Sequence, residues 1–224
     1  MKKLIKRFVF DNPALVLIVQ LIQFNRIGGV KKGELKERGF TENQIVEFRL
    51  QSVHDMFVLP TDKKTIAVDL GSGEEPSNRF GAQECYGVDL FENHSKNILK
   101  ARLGFESLPF KDDSLDYVTA YDLLEHIPRF ADLPQHNNCP LIFLMNEISR
   151  VLKEGGIFLS STPIYPYFTA FQDPTHNNIM TADTLRQYFS NQKFDVAERY
   201  GVKTNFEILY QKMMWHHLVA VLKK

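Results

Sequence analysis

Thr65-Ile66-Ala67-Val68-Asp69-Leu70-Gly71-Ser72-Gly73-Glu74 is the stretch from which the fold follows. Ile66 to Leu70, apolar around a single Asp, has the pattern of a strand buried on both faces. Two glycines then follow with one residue between them. Glycine tolerates positive φ and has no Cβ, so such a turn lets a ligand lie directly on the backbone. Glu74, Glu75 and Pro76 suit the first turn of a helix, where acids favour the dipole and proline loses no hydrogen bond. Strand, glycine turn and helix together predict a nucleotide-type site at the C-terminal edge of a parallel sheet.

The residues after the turn narrow the ligand. A dinucleotide fold wants a third glycine where this chain has Pro76, and Glu74 and Glu75 would repel a pyrophosphate. An NAD-dependent oxidoreductase is therefore disfavoured. No Lys-Ser/Thr follows, which excludes a P-loop. A nucleoside with positive charge and no phosphate fits better, and S-adenosylmethionine (SAM), with its sulfonium and ammonium groups, is such a ligand. The next strand, Glu84 to Leu90, carries Asp89 at its end, about 20 residues beyond the first strand's acid. A carboxylate there can accept from both ribose hydroxyls.

Composition sets the bounds. The chain has 224 residues, 44% hydrophobic and 24% charged, as expected of a globular protein with one sizeable α/β domain and an appendage. Lys+Arg and Asp+Glu both number 27, so the basic excess that accompanies nucleic-acid binding is missing and no nucleic-acid partner is expected. Eighteen Phe and eight Tyr supply a core and enough aromatics to line an apolar cleft. Cys85 and Cys139 have no zinc-ligand spacing and are expected to be reduced, in a cytoplasmic protein.

Residues 1–24 begin with Lys2, Lys3, Lys6 and Arg7 and then turn apolar from Ala14 to Phe24. Asp11 and Pro13 interrupt the run, no small-residue cleavage site follows, and it falls short of the roughly 20 apolar residues of a spanning helix. The expectation is a helix packed on the domain; the alternative is peripheral membrane contact through a basic interfacial helix. Gly28-Gly29 break the pattern, and a second helical segment is expected within 34–59, starting near Thr41. The predicted division is a helical cap over 1–60 and a SAM-binding domain over 61–224. Within the latter, Leu115 to Tyr121 and Ile157 to Ser161 are further strands. Residues 141–152 form a helix closed by Lys153-Glu154-Gly155-Gly156, and Thr181 to Phe189 form a helix capped by Thr181.

VDLGSG, GVDL, LPFKDDSLDYV, LLEHI and EISRVLKEGGIFLSSTP occur in this order, and with them the chain resembles a class I SAM-dependent methyltransferase over residues 65–162, more weakly to about 200. That resemblance implies a Rossmann-like, seven-stranded, mainly parallel sheet with helices on both faces and an antiparallel last strand. Phe194–Arg199 and Trp215–Leu222 are the candidates for the last two strands. It also implies SAM as cofactor, with Asp69, Gly71 and Gly73 along its methionine part and Asp89 on its ribose. Leu90, Phe105, Glu106 and Tyr121 complete the cofactor contacts. Relatives with the LPF motif carry an adenine-facing Asp four residues before its Leu, where this chain has Gly104.

Methyl transfer from a sulfonium is an in-line displacement that needs alignment above all, and an oxygen or nitrogen acceptor also needs a base. His126, Glu125 and His176 are the candidate catalytic residues. Asp122-x-x-Glu125-His126, with His176 downstream, resembles the metal site of some SAM-dependent O-methyltransferases. No metal is assigned, but Asp122, Glu125, His126 and His176 are the set that would hold one. Residues 163–180 form a long aromatic loop beside the methyl-donor end, expected to be the acceptor wall or a lid. The expected function is methyl transfer to a small-molecule, glycan or lipid-linked acceptor at oxygen. The alternative is a noncatalytic SAM-binding or scaffolding protein of the same fold.

Overall fold

The computed structural model describes residues 26–27, 30–31, 50–59, 63–132 and 138–224. The expected helix over 1–24 and the start of a second near Thr41 lie outside these residues; 50–56 are helical. The chain divides into two compact units, residues 1–56 with 213–215, and residues 57–212 with 216–224. In the first, β1 (Arg26–Ile27) pairs antiparallel with β2 (Val30–Lys31), on either side of Gly28-Gly29.

The second unit is built on a seven-stranded sheet. Its strands are β3 (Ile66–Leu70), β4 (Glu84–Asp89), β5 (Ile98–Lys100), β6 (Leu115–Tyr121), β7 (Leu152–Pro163), β8 (Glu207–Met214) and β9 (His217–Lys223). They lie in the order β5-β4-β3-β6-β7-β9-β8. β3 to β7 are parallel to their neighbours, and β9 runs antiparallel to β7, from Ile157 opposite Lys223 to Pro163 opposite His217. The order reverses between β3 and β6, which places the switch point, and the crevice it opens, beyond Leu70 and Tyr121. Val68, Leu70, Val118, Ala120, Phe158 and Leu159 are fully buried, as strands covered on both faces require.

The helices depart from expectation. No helix follows the glycine turn: Glu74 lies in a turn, Glu75 in a bend and Pro76 in irregular chain that runs on to Gln83. Neither the β4–β5 nor the β5–β6 connection holds an α-helix; only a 3-10 turn, His94–Lys96, stands there. Residues 71–83 make the parallel crossover from β3 to β4 without an α-helix. The long described helix is α1 (Pro140–Val151), with Pro140 in its first turn and a buried stripe of Leu141, Leu144, Met145, Ile148 and Val151.

Lys153-Glu154-Gly155-Gly156 does not close α1 as expected. β7 begins at Leu152, directly after the helix, and the four residues bulge within it, so that Leu115 faces Leu152 while Tyr117 faces Ile157. Gly155 supplies φ +79°, and its N–H donates to the Lys224 carbonyl at 3.0 Å. Phe194–Arg199 is not a strand: Asp195–Tyr200 is a 3-10 helix, and the sheet's edge strand is β8 further on. Asp195, Glu198 and Arg199 are charged and only Ala197 is buried, so the run gives no strand face to pack. The helix expected from Thr181 starts at Thr184; the Thr181 N–H donates to Thr184 Oγ1 at 3.0 Å in the turn before it.

Gly104 now has a reason. Its φ is +84°, and a Cβ there would lie 3.0 Å from Pro140 Cβ and 3.1 Å from Ile127 Cγ2. The start of α1 and the turn after β6 close over it, leaving no room for the Asp that relatives carry. We expect Gly104→Asp to destabilise the fold by about 2–4 kcal/mol, from left-handed strain plus overpacking. Urea unfolding of the two proteins measures this, and equal midpoints would show the site to be slack.

Candidate active site

Everything chemical gathers at the C-terminal edge of the parallel strands. Gly71 (φ +69°) and Gly73 (φ +59°) shape the turn after β3, and the Gly71 N–H donates to the Val88 carbonyl at 2.8 Å. With no helix behind it, the turn is held by side chains. Asp69, 4% exposed, accepts from Thr119 Oγ1 at 2.6 Å through Oδ1 and from the Ser77 N–H at 2.9 Å through Oδ2. Burial pushes its carboxyl above the usual range, while these two donors and the Arg79 charge pull it back. Asp69 thus spans β3, β6 and the end of the glycine turn. Ser72 packs on Gly87 of β4, where any Cβ would collide with its hydroxyl.

Asp89 belongs to the same turn. Its Oδ2 accepts from the Gly73 N–H at 2.8 Å and its Oδ1 from the Leu90 N–H at 2.6 Å. Each oxygen keeps a second acceptor direction, and the side chain is half-buried at the strand tip. Leu90 is exposed beside it. Phe105 is stacked under the Arg102 guanidinium, 3.8 Å from the ring centre, and Glu106 Oε2 accepts from the Arg102 N–H at 2.8 Å. With Pro128 and Phe130 these residues line a cleft of about 700 Å³. Tyr121 ends β6, with Arg79 5.4 Å from its ring centre.

The second cluster stands on the turn after β6. Leu123 packs on the glycine turn, since a Cβ at Gly71 would lie 3.0 Å from Leu123 Cδ1. Two residues later Glu125 is buried, 1% exposed, with Oε2 accepting from Thr162 Oγ1 at 2.7 Å and Oε1 without a partner. Burial drives its carboxyl upward, opposed by Thr162. The 173–178 loop is pinned here. The Asn177 and Asn178 N–H groups donate to the Glu125 carbonyl at 2.6 and 3.0 Å, and Asn178 Nδ2 donates to the Ile127 carbonyl. His126 and His176 meet edge to face, ring centres 4.8 Å apart.

The structure therefore brings Glu125, His126 and His176 together, and leaves Asp122 out. Asp122, at φ +47°, turns to His217 at the start of β9, Oδ1 to Nε2 2.7 Å. Of the four candidates named from the sequence, Asp122 stands apart, because the left-handed turn there aims its carboxylate toward β9. Sequence reasoning passed over Thr119, Ser77, Thr162, Thr175 and His217. Only Thr162 sits in a quoted motif, EISRVLKEGGIFLSSTP, and each partner is found only by the register of its strand or the docking of its loop. Gly87 did carry a signal, a glycine inside a strand marking close approach.

Residues 68–160 match the family model described as a methyltransferase domain. A curated relative from Mycolicibacterium smegmatis, described as a probable S-adenosylmethionine-dependent methyltransferase, is 26% identical over 146 residues, 54% of this chain and 52% of the relative. The chain thus spans about half the length of that relative. Among solved structures, a SAM-dependent methyltransferase from Archaeoglobus fulgidus superposes with TM-score 0.51 at 17% identity, over 87% of this chain and 100% of its own. The cyclase SpnF superposes with TM-score 0.50 at 14% identity, over 79% of this chain and 82% of its own. At such identities the superpositions establish the fold alone.

Thr119→Val removes the donor to a buried carboxylate while keeping the shape of the side chain. We expect a loss of about 1–3 kcal/mol in unfolding free energy. Denaturant titration tests this, and an unchanged midpoint would mean that Asp69 does not depend on Thr119.

Proposed function

We propose that the chain is a class I SAM-dependent methyltransferase, with the matched methyltransferase domain in residues 68–160, and that it transfers the methyl group of SAM to an oxygen of a small-molecule, glycan or lipid-linked acceptor. In this reading the methionine part of SAM rests on the bare backbone of Gly71 and Gly73, where Asp69 keeps the turn in shape. Asp89 takes the ribose hydroxyls with the acceptor directions that Gly73 and Leu90 leave open. Leu90 and Phe105 flank the adenine, with Glu106 at its edge and Tyr121 facing the cofactor from β6.

The observation that carries the proposal is the contact of Leu123 with Gly71. It sets the donor turn against the turn that bears Glu125 and His126. An activated methyl needs chiefly to be aligned with its acceptor, and alignment can supply about 7–11 kcal/mol of the barrier. An acid and two imidazoles beside the donor suit an acceptor that must lose a proton, which favours a hydroxyl over an already nucleophilic sulfur. The loop after β7 adds exposed aromatic faces, Tyr165, Phe168 and Phe171, of the kind that sugar rings and lipid chains cover. The same reading has the protein acting from the cytoplasm; among the described residues no helix is long and apolar enough to cross a membrane.

The competing reading, a noncatalytic SAM-binding protein, leaves the Glu125 cluster without a task. Calorimetry with SAM, then transfer of a labelled methyl group to a panel of hydroxylated glycans and lipid-linked acceptors, separates the two. We expect SAM binding, and Asp89→Ala to weaken it by about 10–100-fold, the loss of charged hydrogen bonds worth roughly 1.5–3 kcal/mol. His126→Ala should depress turnover and spare SAM affinity. Binding of SAM with no transfer to any acceptor of the panel would favour the noncatalytic reading; no binding at all would sink both.

A further inference from the structure

The crevice at the C-terminal edge of the sheet opens through a rim of exposed apolar side chains. Six of the eleven exposed large apolar side chains among the described residues stand on loops that leave three strand ends. Leu90 and Phe91 follow β4, Phe130 follows β6, and Tyr165, Phe168 and Phe171 follow β7. Their exposure runs from 55% for Phe171 to 80% for Phe91, so nothing in the chain covers them. β4, β3, β6 and β7 are successive strands. At about 4.8 Å between neighbours, the three strand ends lie within roughly 14 Å of one another.

The rings after β7 are held in place with their outer faces in water. Phe168 and Phe171 are three residues apart at the short helix Thr169–Gln172, which sets them side by side. Phe171 meets Tyr165 edge to face, ring centres 6.3 Å apart, and Phe168 meets His216 at 5.6 Å. Apolar surface fixed in water is a driving force for association that folding has left unused.

Charges of both signs stand between the rings. Lys96, Lys100 and Arg129 are exposed, and so are Glu74, Glu75 and Asp132. These six make no ion pair among the described residues. A surface of one sign would attract three of them and repel the other three. A layer that carries phosphate and ammonium groups side by side complements both. Rings on separate loop tips around a crevice also lack the contiguous packed core of a protein interface. A fluid headgroup layer closes around each tip on its own.

We propose that this rim docks on a zwitterionic lipid bilayer, with the aromatic tips in the headgroup layer and the crevice facing the membrane. The surface is distinct from the basic stretch Lys2 to Arg7, which would seek anionic lipid. Among the proposed acceptors the docking selects the lipid-linked class, held at the depth of the tips. That selection rests on the methyl-transfer reading; docking itself does not.

The test is flotation of the full chain with vesicles of phosphatidylcholine alone, at low and at high salt. The chain should float with the vesicles, and salt should change its partition little, since buried apolar surface carries the binding. The combined variant Phe91→Ser, Phe168→Ser, Phe171→Ser changes only exposed rings and should lower partition by about 10–100-fold. Circular dichroism confirms that the variant is folded. Failure of the parent to float, partition that needs anionic lipid and vanishes in salt, or equal flotation of parent and variant overturns the docking. So does sedimentation velocity showing a parent dimer that the variant dissolves, since a second copy would then cover the rings. Calorimetry with SAM on the same samples keeps the readings apart. Vesicle binding without SAM uptake sinks the methyl-transfer reading alone, and SAM uptake without vesicle binding sinks the docking alone.

Discussion

A buried carboxylate tying the glycine turn to the sheet is the constraint on which the site depends. In a nucleotide-binding crossover the helix after the turn usually fixes the turn's shape. In this chain no helix stands between β3 and β4, and side chains take over the work. Asp69 bridges Thr119 and the Ser77 N–H, Asp89 holds the Gly73 N–H, and Ser72 presses on Gly87. Burial keeps the Asp69 carboxyl above its ordinary range despite the pull of Thr119, Ser77 and Arg79, and the acid braces the scaffold. The turn is thereby rigid on two sides and bare on the third.

A second constraint runs through Leu123. Because it packs on Gly71, the turn after β6 cannot move independently of the donor turn. The 173–178 loop is in turn bonded to the Glu125 carbonyl by the Asn177 and Asn178 N–H groups and to the Ile127 carbonyl by Asn178 Nδ2. The acid and the two imidazoles are therefore parts of one assembly resting on the strand ends, though they come from segments some 50 residues apart in sequence. Pre-organisation of this kind suits the proposed methyl transfer, which depends on alignment.

Much of this was legible beforehand. The strand at 66–70, the positive-φ glycines and the strand tip at Asp89 follow from local composition and period, while the antiparallel last strand near 217–223 was implied by the family resemblance. The errors share one cause. Glu74 to Pro76 have the chemistry of a helix start, Lys153 to Gly156 that of a helix end, and Phe194 to Arg199 a strand-like run. In each case the surrounding length or packing overrode the local preference. Gly104 shows the same from the other side: the departure from the relatives' Asp looks like a lost contact in sequence, yet Pro140 and Ile127 close on that backbone.

The sequence by itself determined the sheet, the glycine turn, the acid that follows it and the identity of the groups available for chemistry, because buried strands and bare turns write their requirements into neighbouring residues. Only the tertiary structure decided which of those groups meet. Asp122 and Glu125 are near neighbours in the chain, but a left-handed turn sends one to His217 and the other inward to Thr162 and the two histidines. Such choices depend on backbone direction and on loops that return from far along the chain, and neither leaves a local trace.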